Sequence, residues 1–417
     1  MKTLIIIFLC LSSSALAQQT AQNLFSHHQG ALFQIRIIEL GSGNKSSIGS
    51  GFQIDPQGHM ITNYHVISDY VFHPDKFRIE FQSADGQTGP LQLSDFDVVN
   101  DLALVKRMDE AASTNHLTLA TELPEQGSNI YSLGNPHDLG MIVVPGTFNG
   151  LTRTSFYQRI HFTGAINPGM SGGPVVDQQG EVVGVNVATA GNQIGFLVPL
   201  TKLQALLREH DEAPDKASFK AKIHTQLMLN QKNLIAQLNA TTWPGSKLGQ
   251  AEVPDSIAPF ISCWGNSNSS DKEAYYLSVE NRCQLDEQIY LHNNLRTGTL
   301  EMEFEWLSSD KLNSHRFYNF YAQSIAGAGP GNAAGKSDVT NYQCQHDTVE
   351  NAHQSTSKTI LCLRAYKDFA GLYDVLFIAA NIDEAQQGLI SHFTLAGVEK
   401  SSALTFTRKF MDSILWH

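Results

Sequence analysis

Short runs in which apolar residues alternate with polar ones recur between residues 33 and 200. Phe33-Gln34-Ile35-Arg36-Ile37, Phe77-Arg78-Ile79-Glu80-Phe81 and Glu181-Val182-Val183-Gly184-Val185 are examples, each bounded by Gly, Asn, Asp or Pro turn signals. A period of two predicts half-buried strands, and many short strands at close spacing predict a barrel or sandwich. The pattern changes at residue 200. Leu203, Leu206 and Leu207 predict a helix over 200–210 that closes this region. Pro214 breaks the chain, and Phe219, Ile223, Leu227, Leu234 and Leu238 predict a second helix over 218–239 that packs onto its own domain. After the interruption at Trp243-Pro244-Gly245-Ser246, strand signals return. Leu300, Met302, Phe304 and Trp306 alternate with three glutamates, and 373–382 reads as a buried strand. Residues 326–335 read as a Gly/Ala-rich loop and 403–416 as an amphipathic helix.

Within the first region one turn carries chemistry. Gly169-Met170-Ser171-Gly172-Gly173-Pro174 sets a serine among glycines after the charge-free run 162–170. Such a backbone can adopt conformations a Cβ forbids and can aim two N–H groups at one point, as an oxyanion hole requires. Ser and Gly also make ordinary turns, so the motif needs partners. A serine hydroxyl needs a base, and the base needs a group that holds its tautomer. Upstream, Ile61-Thr62-Asn63-Tyr64-His65-Val66 offers a histidine after an apolar run. Val99-Asn100-Asp101-Leu102-Ala103-Leu104 offers an aspartate at the mouth of a buried strand, where a carboxylate is costly unless paired. The order His, Asp, Ser is that of one known class of triads. A nucleophile elbow of the α/β-hydrolase kind would need Ser first, with Asp374 and His392 as later candidates. The elbow also requires a helix after the serine, whereas Pro174-Val175-Val176 predicts a strand.

Residues from about 31 to 200 resemble the trypsin-like serine proteases of the HtrA/Deg type and their glutamyl-endopeptidase-like relatives. Gly49-Ser50-Gly51-Phe52-Gln53-Ile54 looks like the family's opening strand. The His65, Asp101 and Ser171 segments look like its catalytic segments. Leu133-Gly134-Asn135-Pro136 and Gly195-Phe196-Leu197-Val198-Pro199 match two further landmarks, in the family's order and spacing. The resemblance covers somewhat less than half the chain. It implies two six-stranded β-barrels, roughly 31–107 and 128–200, with the site in the cleft between them. It also implies that Ser171 attacks a carbonyl, His65 shuttles the proton, Asp101 orients His65, and the N–H groups of Gly169 and Ser171 bind the oxyanion. No metal or organic cofactor is implied. Met170 departs from the family, which usually has an asparagine there; digestive zymogens have an aspartate that pairs with a new N-terminus. A methionine cannot form that pair, which makes activation by N-terminal insertion unexpected, and its thioether is free to pack against a loop. The base of the implied specificity pocket is Ala165, faced by Asn186 and Ala188, which favours a small or aliphatic residue before the scissile bond. His161 and Thr163 suggest the alternative, a glutamate.

Composition refines the picture. Met1-Lys2 followed by an apolar run and Ala15-Leu16-Ala17 reads as a cleaved bacterial signal peptide over 1–17, too short for a membrane span, and points to the periplasm or secretion. Cys10 falls inside that leader without the context of a lipoprotein site. With 417 residues, 42% of them hydrophobic, the chain can bury two cores, and its formal charge of −12 without a basic block argues against nucleic acid as a partner. The remaining cysteines, Cys263, Cys283, Cys344 and Cys362, all lie in the second half and read as two disulfides with three possible connectivities; neighbour pairing is the expectation. A zinc site is the alternative, but no Cys-x-x-Cys spacing supports one.

The expected fold class is therefore mainly β. A protease-like domain occupies 18–210, a helical connector 211–245, and a disulfide-containing, mostly β domain without a PDZ-like pattern 246–417. Aromatics of the last domain (Trp264, Tyr275, Tyr276, Trp306, Tyr318, Phe320, Tyr321) serve either a core or a surface for glycan or protein. Two functions fit: an exported serine endopeptidase acting on proteins or peptides, whose second domain recruits substrate or sets an oligomer, or a binding or chaperone-like protein on a protease fold.

Overall fold

Residues 20–109, 115–189, 194–210, 215–382 and 385–417 are described by the computed structural model. The leader at 1–17 and the Pro214 break lie outside them. The chain divides into two compact units, one of residues 1–152 and 157–220, the other of Arg153–Phe156 and Ala221–His417.

In the first unit a helix, α1, spans 20–28. Six antiparallel strands then close a barrel: β1 (Leu32–Glu39), β2 (Lys45–Gln53), β3 (His59–Thr62), β4 (Phe77–Ser83), β5 (Thr88–Asp97) and β6 (Leu102–Arg107), in the order β1-β2-β3-β6-β5-β4. A helix, α2 (Tyr64–Phe72), sits between β3 and β4. The second barrel is built from β7 (Asn129–Gly134), β8 (Ile142–Leu151), β9 (Ile160–Phe162), β10 (Pro174–Val176), β11 (Val182–Thr189) and β12 (Gly195–Pro199), in the order β10-β11-β12-β9-β8-β7. Closure leaves no open sheet edge in either barrel. The strand after Ser171 is β10, so the elbow alternative falls.

One apolar core joins Phe52, Ile61 and Leu104 of the first barrel to Tyr131, Leu133, Val185 and Val198 of the second. Helix α3 (Leu200–Glu209) adds Leu203 and Leu206 to it, as its period predicts. Met170 is fully buried in the interior of the second barrel with Ile130, Phe162 and Val175. The residue that departs from the family pattern is therefore a core residue, and its thioether fills the barrel beneath the serine turn.

In the second unit α4 (Phe219–Ala240) buries Ile223, Leu227, Leu234 and Leu238. Gln231 on that helix donates to Glu399 at 2.8 Å. The strands are β13 (Gly245–Leu248), β14 (Ala251–Pro254), β15 (Ser262–Ser267), β16 (Leu277–Gln284), β17 (Ile289–His292), β18 (Leu295–Thr297), β19 (Leu300–Ser308), β20 (Gln343–Glu350), β21 (Thr356–Ala365), β22 (Leu372–Asn381), β23 (Gln387–Glu399) and β24 (Leu415–Trp416). Seven of them form one antiparallel sheet, β15-β16-β19-β23-β22-β21-β20. Helix α6 (Lys400–Asp412) covers one face, where Phe406 and Phe410 meet Phe304, Phe377 and Phe393. Helix α5 (Ser314–Gly327) covers part of the other, packing Phe317 and Tyr321 on Leu307, Ile378 and Ile390.

Two expectations are corrected here. The C-terminal helix ends at Asp412, and Leu415–Trp416 pairs with β14. The aromatic run Phe317–Tyr321 belongs to a helix that the sequence did not suggest; Tyr321 is buried, as is Trp306, while Trp264 and Tyr275 are exposed. Cys263–Cys283 and Cys344–Cys362 form disulfides, each between directly opposed residues of paired strands at a Cα separation of 4.0 Å.

Candidate active site

The polar chain around His65 starts from a tight turn. Asp97 accepts hydrogen bonds from the N–H groups of Val99 (3.0 Å) and Asn100 (2.9 Å) and from the Asn100 amide (2.5 Å), which folds 97–101. Asp101 then sits at φ 62°, a left-handed conformation that Asp tolerates better than most residues. Arg159 of the second barrel donates to the Asn100 carbonyl at 3.0 Å, and Asn63 donates to the Asp101 carbonyl at 2.7 Å. The Asn100 and Asp101 carbonyls are thus held from outside the turn.

Asp101 uses both carboxylate oxygens on one residue. Oδ1 accepts the His65 backbone N–H at 2.8 Å and Oδ2 accepts Nδ1–H of the His65 ring at 2.7 Å. His65 lies in the first turn of α2, whose N-cap, Asn63, makes no capping bond with its side chain. The Asp101 carboxylate therefore satisfies one of the orphan donors of that helix and sits at its positive end. The Nδ1–H bond fixes the tautomer and leaves the lone pair on Nε2. Burial lowers the pKa of the ring, but the charge and hydrogen bond of Asp101 outweigh it and raise the pKa above the ordinary value of 6.5.

The serine turn is set by its carbonyls. Pro168 C=O accepts the His137 N–H at 2.9 Å. Met170 C=O accepts the Gly173 N–H at 3.0 Å and the Asn186 amide at 3.3 Å. In a planar trans peptide the N–H points opposite to the carbonyl, so the N–H groups of Gly169 and Ser171 are turned away from these anchors. Among the described residues neither donates to a protein acceptor. Gly169 has φ 96°, and a Cβ there would stand 2.4 Å from the Asn135 carbonyl oxygen, so both conformation and space require glycine.

Ser50 of β2, fully buried, makes three bonds to this region. Its N–H donates to Ser171 C=O at 2.8 Å, its hydroxyl donates to Gly169 C=O at 2.7 Å, and the same oxygen accepts the Asn135 N–H at 2.8 Å. The adjacent loop holds His137 and Asp138 at positive φ. Gln34 donates to Asp138 at 2.6 Å and Lys45 pairs with it at 2.5 Å; these contacts lower the carboxyl pKa. Sequence reasoning missed Ser50, Asn63, Arg159 and this loop. Ser50 and Asn63 lie inside quoted motifs, whereas Arg159 and Asp138 act across strands and leave no local signal.

Of the residues assigned to the specificity pocket, Ala165, Thr163 and Ala188 are exposed and His161 is partly buried. Strand register sets Ala188, Phe196 and His161 side by side, which adds Phe196 to the wall. Thr163 accepts from the Asn149 amide at 2.9 Å. Asn186 is corrected. It is fully buried, its Oδ1 accepts from Ser132 at 2.9 Å and its amide serves Leu133 and Met170, so its side chain braces the barrel and is not offered to a ligand.

Residues 49–185 match the family described as trypsin-like peptidase domain. The chain is 31% identical over 170 residues to serine protease HTRA1 of Xenopus laevis, covering 39% of this chain and 36% of that one. It is 30% identical over 210 residues to chloroplastic protease Do-like 5 of Arabidopsis thaliana, covering 43% and 65% respectively. The chain thus spans less than two thirds of either relative. The crystal structure of Deg5 is 28% identical and covers 46% of this chain and 94% of its own, with a TM-score of 0.41.

Proposed function

We propose that this chain, whose trypsin-like peptidase domain is homologous to those of HtrA- and Do-type serine proteases, is an exported serine endopeptidase. The observation that carries the reading is the pairing of two devices in one unit. His65 is held in one tautomer by a doubly engaged Asp101, and the Ser171 turn presents two backbone N–H groups without protein acceptors among the described residues.

Ser171 Oγ adds to the scissile carbonyl carbon while its proton passes to His65 Nε2. Asp101 stabilises the imidazolium, and the N–H groups of Gly169 and Ser171 receive the oxyanion. Collapse of the tetrahedral adduct returns the proton to the leaving amine and leaves an acyl-enzyme, which water opens by the same steps. Each oxyanion donor is worth roughly 10²–10³ in rate in comparable sites. Substrates are proteins or peptides, and no step requires a metal or organic cofactor. Export follows from the leader-like sequence at 1–17. Among the described residues, no helix is long and apolar enough to cross a membrane.

The uncharged Ala165 and Ala188, beside Phe196, favour a small or aliphatic residue before the cleaved bond. One observation favours glutamate instead: among the described residues His161 Nε2 is buried without a hydrogen-bond partner. A fluorogenic peptide library varied at that position, run beside Ser171→Ala, decides. Highest kcat/KM for Ala, Val or Leu supports the first preference, highest for Glu supports the second, and cleavage surviving in Ser171→Ala rejects the mechanism.

A further inference from the structure

Helix α5 leaves the outer part of its sheet face uncovered, and a cleft of about 580 Å³ opens there, within the size range of small-molecule sites. The cleft lies wholly in the second unit and is independent of the peptidase reading. Its polarity is graded by strand register. One row across β20, β21 and β22 reads His346, Ile360, Ile378, and the next reads Thr348, Lys358, Ala380. The edge strand β20 is polar there, Lys358 on the next strand supplies a cation, and the depth beneath α5 is apolar. Ala322 and Ile325 of the helix form the apolar wall, and Tyr318 stands at it with about a third of its surface exposed.

The mouth holds an uncommitted charge. Among the described residues no acid pairs with Lys358, and the His346 side chain makes no hydrogen bond or ion pair. Asp347, the carboxylate beside them, accepts the N–H of Thr348 at 2.8 Å. The Cys344–Cys362 disulfide ties β20 to β21, so the edge that carries His346 is covalently pinned to the floor. An apolar trough with an exposed, unpaired ammonium at its mouth suits a ligand with a hydrocarbon tail and an anionic head. Burial of the tail supplies affinity, and Lys358 supplies a charge-assisted hydrogen bond that fixes direction.

We infer that the second unit binds an amphiphilic monocarboxylate, of the class of medium-chain fatty acids, with its head at Lys358 and its tail between α5 and β21–β22. The test is titration calorimetry of the full chain with decanoate, decanol and decyltrimethylammonium, on the wild type, Lys358→Met and Ala322→Trp. Ala322 is exposed on α5, so its replacement fills the trough without entering the core. The wild type is expected to bind decanoate at one site, about tenfold or more tighter than decanol, with the cation weakest. Lys358→Met should abolish the preference for decanoate over decanol, and Ala322→Trp should weaken both. Equal binding of the three ligands, decanoate affinity unchanged in both variants, or no binding to the wild type would each overturn the inference. Circular dichroism of the two variants matching the wild type excludes misfolding as the cause of any loss.

Discussion

Asp101 is the residue on which most depends, because one carboxylate caps α2 through the His65 backbone and aligns the His65 ring. Replacing it by asparagine preserves shape but removes the charge and permits the wrong tautomer. If the proposed triad operates, Asp101→Asn is expected to lower kcat by about 10⁴, as the same change does in known Ser-His-Asp triads, and kinetics on a peptide found in the library screen will measure it. The charge also sets pH dependence. His65 must be neutral to accept the serine proton, and its pKa in the fold lies above 6.5. Activity should therefore rise with pH through a midpoint above 6.5, and a wild-type acid limb centred below that value contradicts the assignment. Ser50 acts one step removed. Its hydroxyl satisfies Gly169 C=O and the Asn135 N–H, and each buried group left without a partner costs about 1–3 kcal/mol. Ser50→Ala should lower kcat more than tenfold while KM moves little; an unchanged kcat would show that the turn stands without it.

At the scale of elements, the serine turn and the two edges of the large sheet solve the same problem of holding exposed backbone in one conformation. The turn uses glycine and cross-barrel hydrogen bonds. Gly169→Ala places a Cβ 2.4 Å from a carbonyl oxygen at φ 96°, and should cut kcat by at least about 10² by displacing an oxyanion donor. The sheet uses disulfides, one at each edge, and in the loop-entropy model each stabilises its unit by about 3 kcal/mol. The barrels were legible because their strands are short and punctuated by turn residues, and because the Ser171 motif fixes its own neighbourhood. Helix α5 was not, since Ser314 to Tyr321 is rich in Ser, His, Asn, Phe and Tyr, residues of middling helix propensity, and its apolar positions only meet a face once the sheet exists. Strand β22 was legible as the apolar run at 373–382, whereas β23, buried along nearly its whole length, mixes Ser391, His392 and Thr394 among its apolar residues and shows no alternation to mark it. Asn186 misled for a related reason: a polar residue near a predicted pocket reads as a ligand contact until its buried partners are seen.

Among the described residues, the proposed triad lies in the first unit and both disulfides lie in the second. Calorimetry should then resolve two unfolding transitions, of which reduction by dithiothreitol lowers only one, with peptidase activity retained at temperatures below both. A common shift of both transitions would contradict that separation. The central claim is that Ser171 is activated at rest, with its hole preformed by the anchored carbonyls of Pro168 and Met170. Covalent labelling of the folded protein by a fluorophosphonate probe tests it most directly. Labelling that is stoichiometric in the wild type and absent in Ser171→Ala is the predicted result; a folded wild type that resists the probe would contradict it.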